Sequence, residues 1–149
     1  MEAEGWTLAS TSGTDQTIAV SISDEVVHGG NLALRVAFAN DNGASRQWVR
    51  DMGGLVPGAT YEVSWWWYSA NGLVYTTSRM QWSAGGQSGL FDATTNGGPT
   101  GEWVRFSRTF SSNTSFVRLL FSVYGNRRAG DREEGVNVFY VDDVEIRKL

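Results

Sequence analysis

Two neighbouring segments of the chain combine aromatic and planar polar side chains at a spacing of two residues. In an extended strand this spacing places side chains on one face. Tyr61–Tyr68 then presents one wholly apolar face to a core, while Trp66 and Tyr68 leave the core on the other face. In the next segment, Arg79 and Gln81 share the outward parity. Clusters of exposed aromatic side chains usually mark a contact surface.

These residue types suit a sugar ligand. A pyranose ring has an apolar face of C–H groups on which aromatic rings stack, and a rim of hydroxyls that planar polar groups hydrogen-bond. If the two segments pair as a hairpin, Arg79 and Gln81 lie beside Trp66 and Tyr68. The predicted carbohydrate-binding residues are Trp66, Tyr68, Arg79, Gln81 and Tyr124. The alternative interpretation is that Trp66 lies under a loop and Tyr68 is an ordinary sheet aromatic.

The elements that must position these residues are strands. Short runs of alternating polarity are bounded by Gly, Asn, Asp, Ser or Pro, and no segment repeats apolar residues at helical spacing. The predicted strands are Gly5–Ser10, Gln16–Ser23, Leu32–Asn40, Ser45–Met52, Thr60–Ala70, Thr76–Ala84, Glu102–Phe110, Phe116–Gly125 and Val136–Lys148. About nine strands without a repeat or a linker predict one domain over residues 1–149, an all-β, two-sheet antiparallel β-sandwich of the jelly-roll type.

The composition excludes several functional classes. A net charge of −4 and a pI near 4.9 argue against binding nucleic acid or an anionic membrane surface, because both require a basic face. The absence of cysteine excludes disulfides, a thiol nucleophile and cysteine metal sites.

The sequence contains few residue combinations that could form a catalytic site, so we predict that the chain is not an enzyme. His28 is the only histidine and lies in a glycine-rich turn, so a Ser-His-Asp triad depends on it alone. Asp142 and Asp143 are adjacent on a strand and should point to opposite faces, which prevents them from flanking one glycosidic bond. Glu133 and Glu134 belong to a charged segment typical of a solvated loop.

Acids near the two ends of the chain suit a hard cation. Calcium takes carboxylate and backbone carbonyl oxygens from loops and strand ends. Asp142 on the last strand could meet Glu4 or Glu2 near the start, since the termini of jelly rolls often lie close together. The alternative is that these acids are merely exposed.

Five segments, taken in order, resemble a known family. They are Gly5–Trp6, His28–Val36, Val56–Ser64, Trp103–Ser107 and Phe139–Ile146. Together they resemble jelly-roll carbohydrate-binding modules of the family 4, 9, 16 and 22 type. The resemblance implies a glycan cleft on a concave face or an edge, and a structural calcium ion held by Glu4 or Glu2, the backbone near Gly30, and Asp142. The family's usual N-terminal Asn-x-Gly-Phe-Glu stretch is absent or truncated here.

The resemblance also implies a function. Such modules bind β-linked glucan, mannan or xylan without catalysis and hold a covalently attached glycoside hydrolase on its polysaccharide. It implies an extracellular bacterial protein and a monomeric module that binds neither nucleic acid nor membrane. The abrupt start and end of the strand pattern likewise predict a module of a longer protein. The alternatives are a structural or adhesive surface domain without a sugar ligand, and a lyase or hydrolase on a jelly-roll frame.

Overall fold

The fold comes from a computed structural model that describes residues 5–12, 18–39, 45–70, 76–84, 87–95, 101–125 and 136–149. These residues form ten strands and no helix. The strands are β1 (Thr7–Ser12), β2 (Ile18–Ser23), β3 (Ala33–Ala39), β4 (Ser45–Gly53), β5 (Thr60–Ser69), β6 (Thr76–Ala84), β7 (Gln87–Thr95), β8 (Trp103–Ser111), β9 (Phe116–Gly125) and β10 (Val136–Lys148).

The ten strands form two five-stranded sheets. The first sheet has the order β2-β3-β10-β5-β8 and the second has the order β1-β4-β9-β6-β7. Every pairing is antiparallel. The predicted all-β, two-sheet jelly-roll sandwich is therefore confirmed. Among the described residues, none forms a helix with the length and hydropathy that crossing a membrane requires.

The core lies between the sheets and follows the alternation of β5. Its Tyr61, Val63, Trp65 and Trp67 are all buried, with exposures of 5%, 0%, 2% and 3%. From the opposite sheet, Val117 and Leu119 are completely buried within the same cluster. The predicted inward face of β5 is correct, and Trp66 and Tyr68 consequently lie on the outer face of the first sheet.

Consecutive strands do not always share a sheet, and this corrects one expectation. The hairpin of β5 with β6 is wrong, because β5 lies between β10 and β8 in the first sheet while β6 lies between β9 and β7 in the second. Both strands are interior strands of their sheets. Strand β5 forms its backbone hydrogen bonds with β8 and β10, and β6 forms its own with β7 and β9. Arg79 and Gln81 therefore do not lie beside Trp66 and Tyr68.

Candidate functional site

The five residues predicted to bind carbohydrate divide between the two outer faces of the sandwich. Trp66 and Tyr68 lie on the first sheet. Arg79, Gln81 and Tyr124 belong to β6 and β9 of the second sheet. The structure describes the backbone register at these last three positions, while their side chains lie outside the described residues.

The register places those three positions on one face of the second sheet. On β9, Val117 and Leu119 are buried whereas Arg118 is exposed, so residues with the parity of Arg118 face away from the core. Tyr124 has this parity. Arg79 is paired with Ser122 and Gln81 with Leu120, so both positions belong to the same outward set.

We call this outward set the polar face, because its cross-strand rows consist largely of hydrogen-bonding residues. One row across β4, β9, β6 and β7 consists of Gln47, Ser122, Arg79 and Asp92. The row beside it consists of Ser45, Tyr124, Thr77 and Thr94. The next row along these strands, on the other side of Gln47 from Ser45, has the inward parity and consists of Trp48, Phe121, Met80 and Phe91. The strands thus separate apolar positions from polar ones.

An ion pair flanks these rows on the polar face. Arg118 donates from Nε to Asp51 Oδ1 and from Nη2 to Asp51 Oδ2, both at 2.7 Å. The two residues are directly opposite each other on β4 and β9. This two-pronged hydrogen bond from Arg118 lowers the pKa of Asp51. Both side chains are about half exposed, so solvent screens the pair.

Replacing the cation should reveal this coupling. In Arg118→Ala, we expect the pKa of Asp51 to rise toward its ordinary value. Because the pKa of Asp51 is lower in the folded state, the pair stabilises the fold above the unfolded-state pKa, and this contribution is lost as the pH falls through the folded-state pKa. Titration of the Asp51 carboxyl by NMR in both proteins measures the change, and an unchanged pKa would show that the pair does not persist in solution.

The outer face of the first sheet carries a cluster of rings, which we call the aromatic face: His28, Trp66, Tyr68, Trp103 and Tyr140. His28 stacks on Trp66 with ring centroids 3.8 Å apart and planes at 18°. One face of the Trp66 indole is therefore covered by the turn that precedes β3. This geometry matches the interpretation in which Trp66 lies under a loop.

Trp103 is a member of the aromatic face that the sequence did not indicate. Its ring lies 5.4 Å from Tyr68 and 5.5 Å from His28. Its parity was the available signal, because Trp103 shares a face with the exposed Arg105 and alternates with Val104 and Phe106.

The turn that carries His28 is held by two carboxylates of β10. Asp142 Oδ2 accepts hydrogen bonds from the backbone N–H of His28 at 2.8 Å and of Gly29 at 3.2 Å. Asp143 Oδ2 lies 2.8 Å from His28 Nδ1. The expectation that the two acids point to opposite faces is wrong here, because the register of β10 shifts after Asp142 and Asp143 adopts a φ of 47°.

The expected calcium ligands are partly described. Gly30 and Asp142 line one open cavity of about 430 Å³, and Arg50 lines it too. Asp142 Oδ1 accepts one hydrogen bond, from the N–H of Asp143 at 2.7 Å, so one lone pair of this oxygen remains for a cation. Within the described ranges, no three His, Cys, Asp or Glu side chains form a metal-binding group. Glu2 and Glu4 lie outside the described residues.

Comparison with known families decides among the interpretations of this fold. A family model described as a carbohydrate binding domain matches residues 2–130, which is most of the chain. The chain belongs to this carbohydrate-binding domain family. The suspected family resemblance is thereby confirmed. Membership of this family implies oligosaccharide or polysaccharide ligands. Comparison with curated proteins finds no match.

Solved structures of other proteins share the fold of this domain. TmCBM61, solved in complex with β-1,4-galactotriose, has a TM-score of 0.65 at 18% identity, over 98% of this chain and 90% of that one. The CBM22-2 xylan-binding domain from Paenibacillus barcinonensis has a TM-score of 0.59 at 16% identity, over 98% and 92%. At such identities the likeness concerns the fold alone.

One similar structure is part of a larger protein. The enzymatically active domain of tailspike protein 4 from bacteriophage CBA120 has a TM-score of 0.67 at 14% identity. The match covers 98% of the carbohydrate-binding domain but 20% of the tailspike chain. A sandwich of this shape therefore also occurs as a minor part of a much longer chain.

Proposed function

We propose that this domain binds chains of β-linked polysaccharide, such as glucan, mannan or xylan, on its polar face and without catalysis. The observation that carries the proposal is the cross-strand row of Gln47, Ser122, Arg79 and Asp92. It places an amide, a hydroxyl, a guanidinium and a carboxylate on four adjacent strands. Neighbouring strands are about 4.8 Å apart, a spacing close to the length of one sugar unit in a β-linked chain.

Each residue type in these rows has a separate task. Arg79 donates a planar fork of N–H groups to hydroxyl oxygens, and Gln81 both donates and accepts. Tyr124 lies one outward position from Ser122 and supplies an aromatic ring on which the C–H face of a sugar can stack. Gln81, Arg79 and Tyr124 lie in three adjacent outward rows of β6 and β9, so a polysaccharide chain that crosses these strands obliquely would pass all three.

Four of the described carboxylates are engaged in structural contacts, which fits a binding role. Asp51 is engaged with Arg118, and Glu62 accepts from Arg105 and Arg147. Asp142 and Asp143 hold the His28 turn. A glycosidase requires two carboxyl groups facing one bond, and each of these four has another partner.

Calorimetry against soluble xylan, mannan, mixed-linkage glucan and laminarin tests the proposal. We expect saturable binding of at least one polysaccharide, without release of reducing ends during prolonged incubation. Failure to bind any of them, with calcium present and the fold intact, would favour the structural or adhesive alternative. Robust production of reducing ends would instead establish an enzyme.

In this proposal the domain acts outside the cell as a monomer that holds an attached glycoside hydrolase on its substrate. The support is the membership of the carbohydrate-binding domain family. Deleting the domain from the full-length protein should lower activity on insoluble polysaccharide and leave activity on short soluble oligosaccharides unchanged. Equal losses on both substrates would contradict a targeting role.

We also propose a structural calcium ion beside Asp142 and the carbonyl of Gly30, with Glu4 or Glu2 completing the carboxylate set. The support is that Gly30 and Asp142 line the same cavity and that Asp142 keeps a free lone pair. Arg50 lines this cavity as well, so an N-terminal carboxylate is needed to offset its charge. The ion would join the start of the chain to its last strand.

Calcium should therefore raise the thermal stability of the domain. At a concentration of about 100 times its dissociation constant, an ion that binds only the folded state adds about 2.7 kcal/mol. For a domain of this size that is roughly 8 °C in Tm. Calorimetric scans with calcium and with excess chelator measure the difference. Magnesium is the matched control. A Tm that neither ion changes would exclude the calcium site.

A further inference from the structure

The aromatic face contains a cross-strand row of its own. Trp103 on β8 is paired with Tyr68 on β5, which is paired with Tyr140 on β10, which is paired with Arg35 on β3. The row begins at an edge strand of the first sheet. It therefore passes from two half-buried rings to a charged side chain, with the buried Tyr140 between them.

The charged end of this row is organised by one carboxylate. Tyr140 donates its hydroxyl proton to Glu25 Oε2 at 3.0 Å, and Arg35 Nε lies 3.5 Å from the same oxygen. Burial, reinforced by the bond to Glu25, raises the pKa of Tyr140, so the phenol stays a donor. The Glu25 side chain is 66% exposed, which leaves its second oxygen open to a ligand.

The apolar end has the shape of a small open shelf. Tyr68 and Trp103 are tilted by 51° to each other, and His28 meets the edge of Trp103 at 71°. His28 is exposed, and it closes the side of the shelf toward Trp66. Three rings of different inclination thus border one surface, beside a carboxylate and a guanidinium of opposite charge.

The geometry points to a second carbohydrate contact on the aromatic face, which takes a short stretch of an uncharged sugar chain. Tyr68 and Trp103 receive the C–H face of one sugar unit, and Glu25 and Arg35, on the far side of Tyr140, bond hydroxyls of a neighbouring unit. The pairing of Glu25 with Arg35 leaves no net charge, which favours a neutral sugar over a uronic acid. The identity of the ligand class rests on the proposed function, whereas the location of this contact does not.

A second contact on the opposite face has a functional consequence. The polar face and the aromatic face lie on the two outer surfaces of the sandwich, so one polysaccharide chain of ordinary stiffness would not reach both. The domain would then join two neighbouring chains of an insoluble substrate. Two weak contacts used together also raise the apparent affinity for a surface well above that of either one.

The test compares variants of the two faces on the same oligosaccharides. Cellohexaose, mannohexaose and xylohexaose are titrated by calorimetry into the wild-type domain, Tyr68→Ala, Glu25→Gln and the double variant Arg79→Ala/Tyr124→Ala. Phe116→Ala is the matched control, because Phe116 is an exposed aromatic of β9 outside both binding rows. Circular dichroism checks that each variant is folded.

We expect two sites per wild-type domain and one in the double variant. Tyr68→Ala and Glu25→Gln should each remove the weaker site, and Phe116→Ala should keep both. Wild-type domain should also precipitate the matching soluble polysaccharide, while either single-face variant should not. Complete loss of binding in the double variant, with the fold intact, would overturn the second contact but leave the proposed function standing. Absence of binding by wild-type protein would overturn both.

Discussion

Tyr124→Ala is expected to weaken binding of the preferred polysaccharide to its stronger site by roughly 30-fold. One face of an aromatic ring, about 80 Å² or roughly half of what such a side chain can bury, contributes about 2 kcal/mol at 25 cal/mol per Å². That free energy corresponds to about a 30-fold change in Kd. Isothermal calorimetry measures it, and Tyr124→Phe should retain most of the affinity because the ring remains.

A matched variant on the aromatic face, Tyr68→Ala, tests whether the loss is specific to the polar face. Tyr68 was predicted from the sequence to bind the same chain as Tyr124, yet the two lie on opposite outer surfaces. Tyr68→Ala should therefore leave the affinity of the stronger site unchanged. If Tyr68→Ala instead causes the larger loss and Tyr124→Ala none, the main glycan site is on the aromatic face, and the polar face is an ordinary solvated surface.

Arg79→Ala separates hydrogen bonding from stacking on the polar face. Loss of a charge-assisted hydrogen bond costs about 1.5–3 kcal/mol, so this variant should weaken binding by at least tenfold. Combining it with Tyr124→Ala should give nearly additive losses if the two residues contact different parts of the sugar chain.

The fold was predictable because the alternation of apolar and polar residues along each strand identifies the residues of the core. On β5, four apolar residues at a spacing of two meet buried partners from both sheets, and all four are buried. Trp48 on β4 also joins this core, at 7% exposure. Arg46 and Arg50 have the same parity as Trp48, so alternation alone does not identify the inward face of β4.

Strand β7, Gln87–Thr95, was the element that the sequence did not predict. It contains Gly89, Asp92 and Ala93, residue types with low strand propensity. As the outermost strand of the second sheet it pairs only with β6, so pairing along one edge, rather than burial of both faces, determines its structure. Local patterning carries little information about such a strand.

The candidate site was less predictable because it depends on which strands become neighbours. The residue types of all five predicted positions suit a sugar, but the partition of β5 and β6 into different sheets is a property of the whole topology. The stacking of His28 on Trp66 likewise depends on contacts more than one hundred positions apart in the chain, between the turn and Asp142 or Asp143. The periodicity of a single sequence does not show which distant residues come into contact.

Asp142→Ala should be among the most destabilising single substitutions outside the hydrophobic core. The residue is 9% exposed, and its carboxylate accepts three backbone hydrogen bonds, from His28, Gly29 and Asp143. Hydrogen bonds to a charged group contribute about 1.5–3 kcal/mol each, and unsatisfied amides add a penalty. After partial replacement by water, we expect a loss of about 3–4 kcal/mol, a large share of the 5–15 kcal/mol typical of a domain.

Urea denaturation of Asp142→Ala and Asp142→Asn in excess chelator measures this loss without any contribution from calcium. Asn keeps one acceptor oxygen and should lose less than Ala. The variants should also release His28 from Trp66, since the turn is held over that indole by the same carboxylate, and tryptophan emission should shift to longer wavelength. If the loss appears only when calcium is present, Asp142 acts through the metal, and the backbone hydrogen bonds contribute little. Equal losses in calcium and in chelator would instead identify the carboxylate itself as the link between the last strand and the His28 turn.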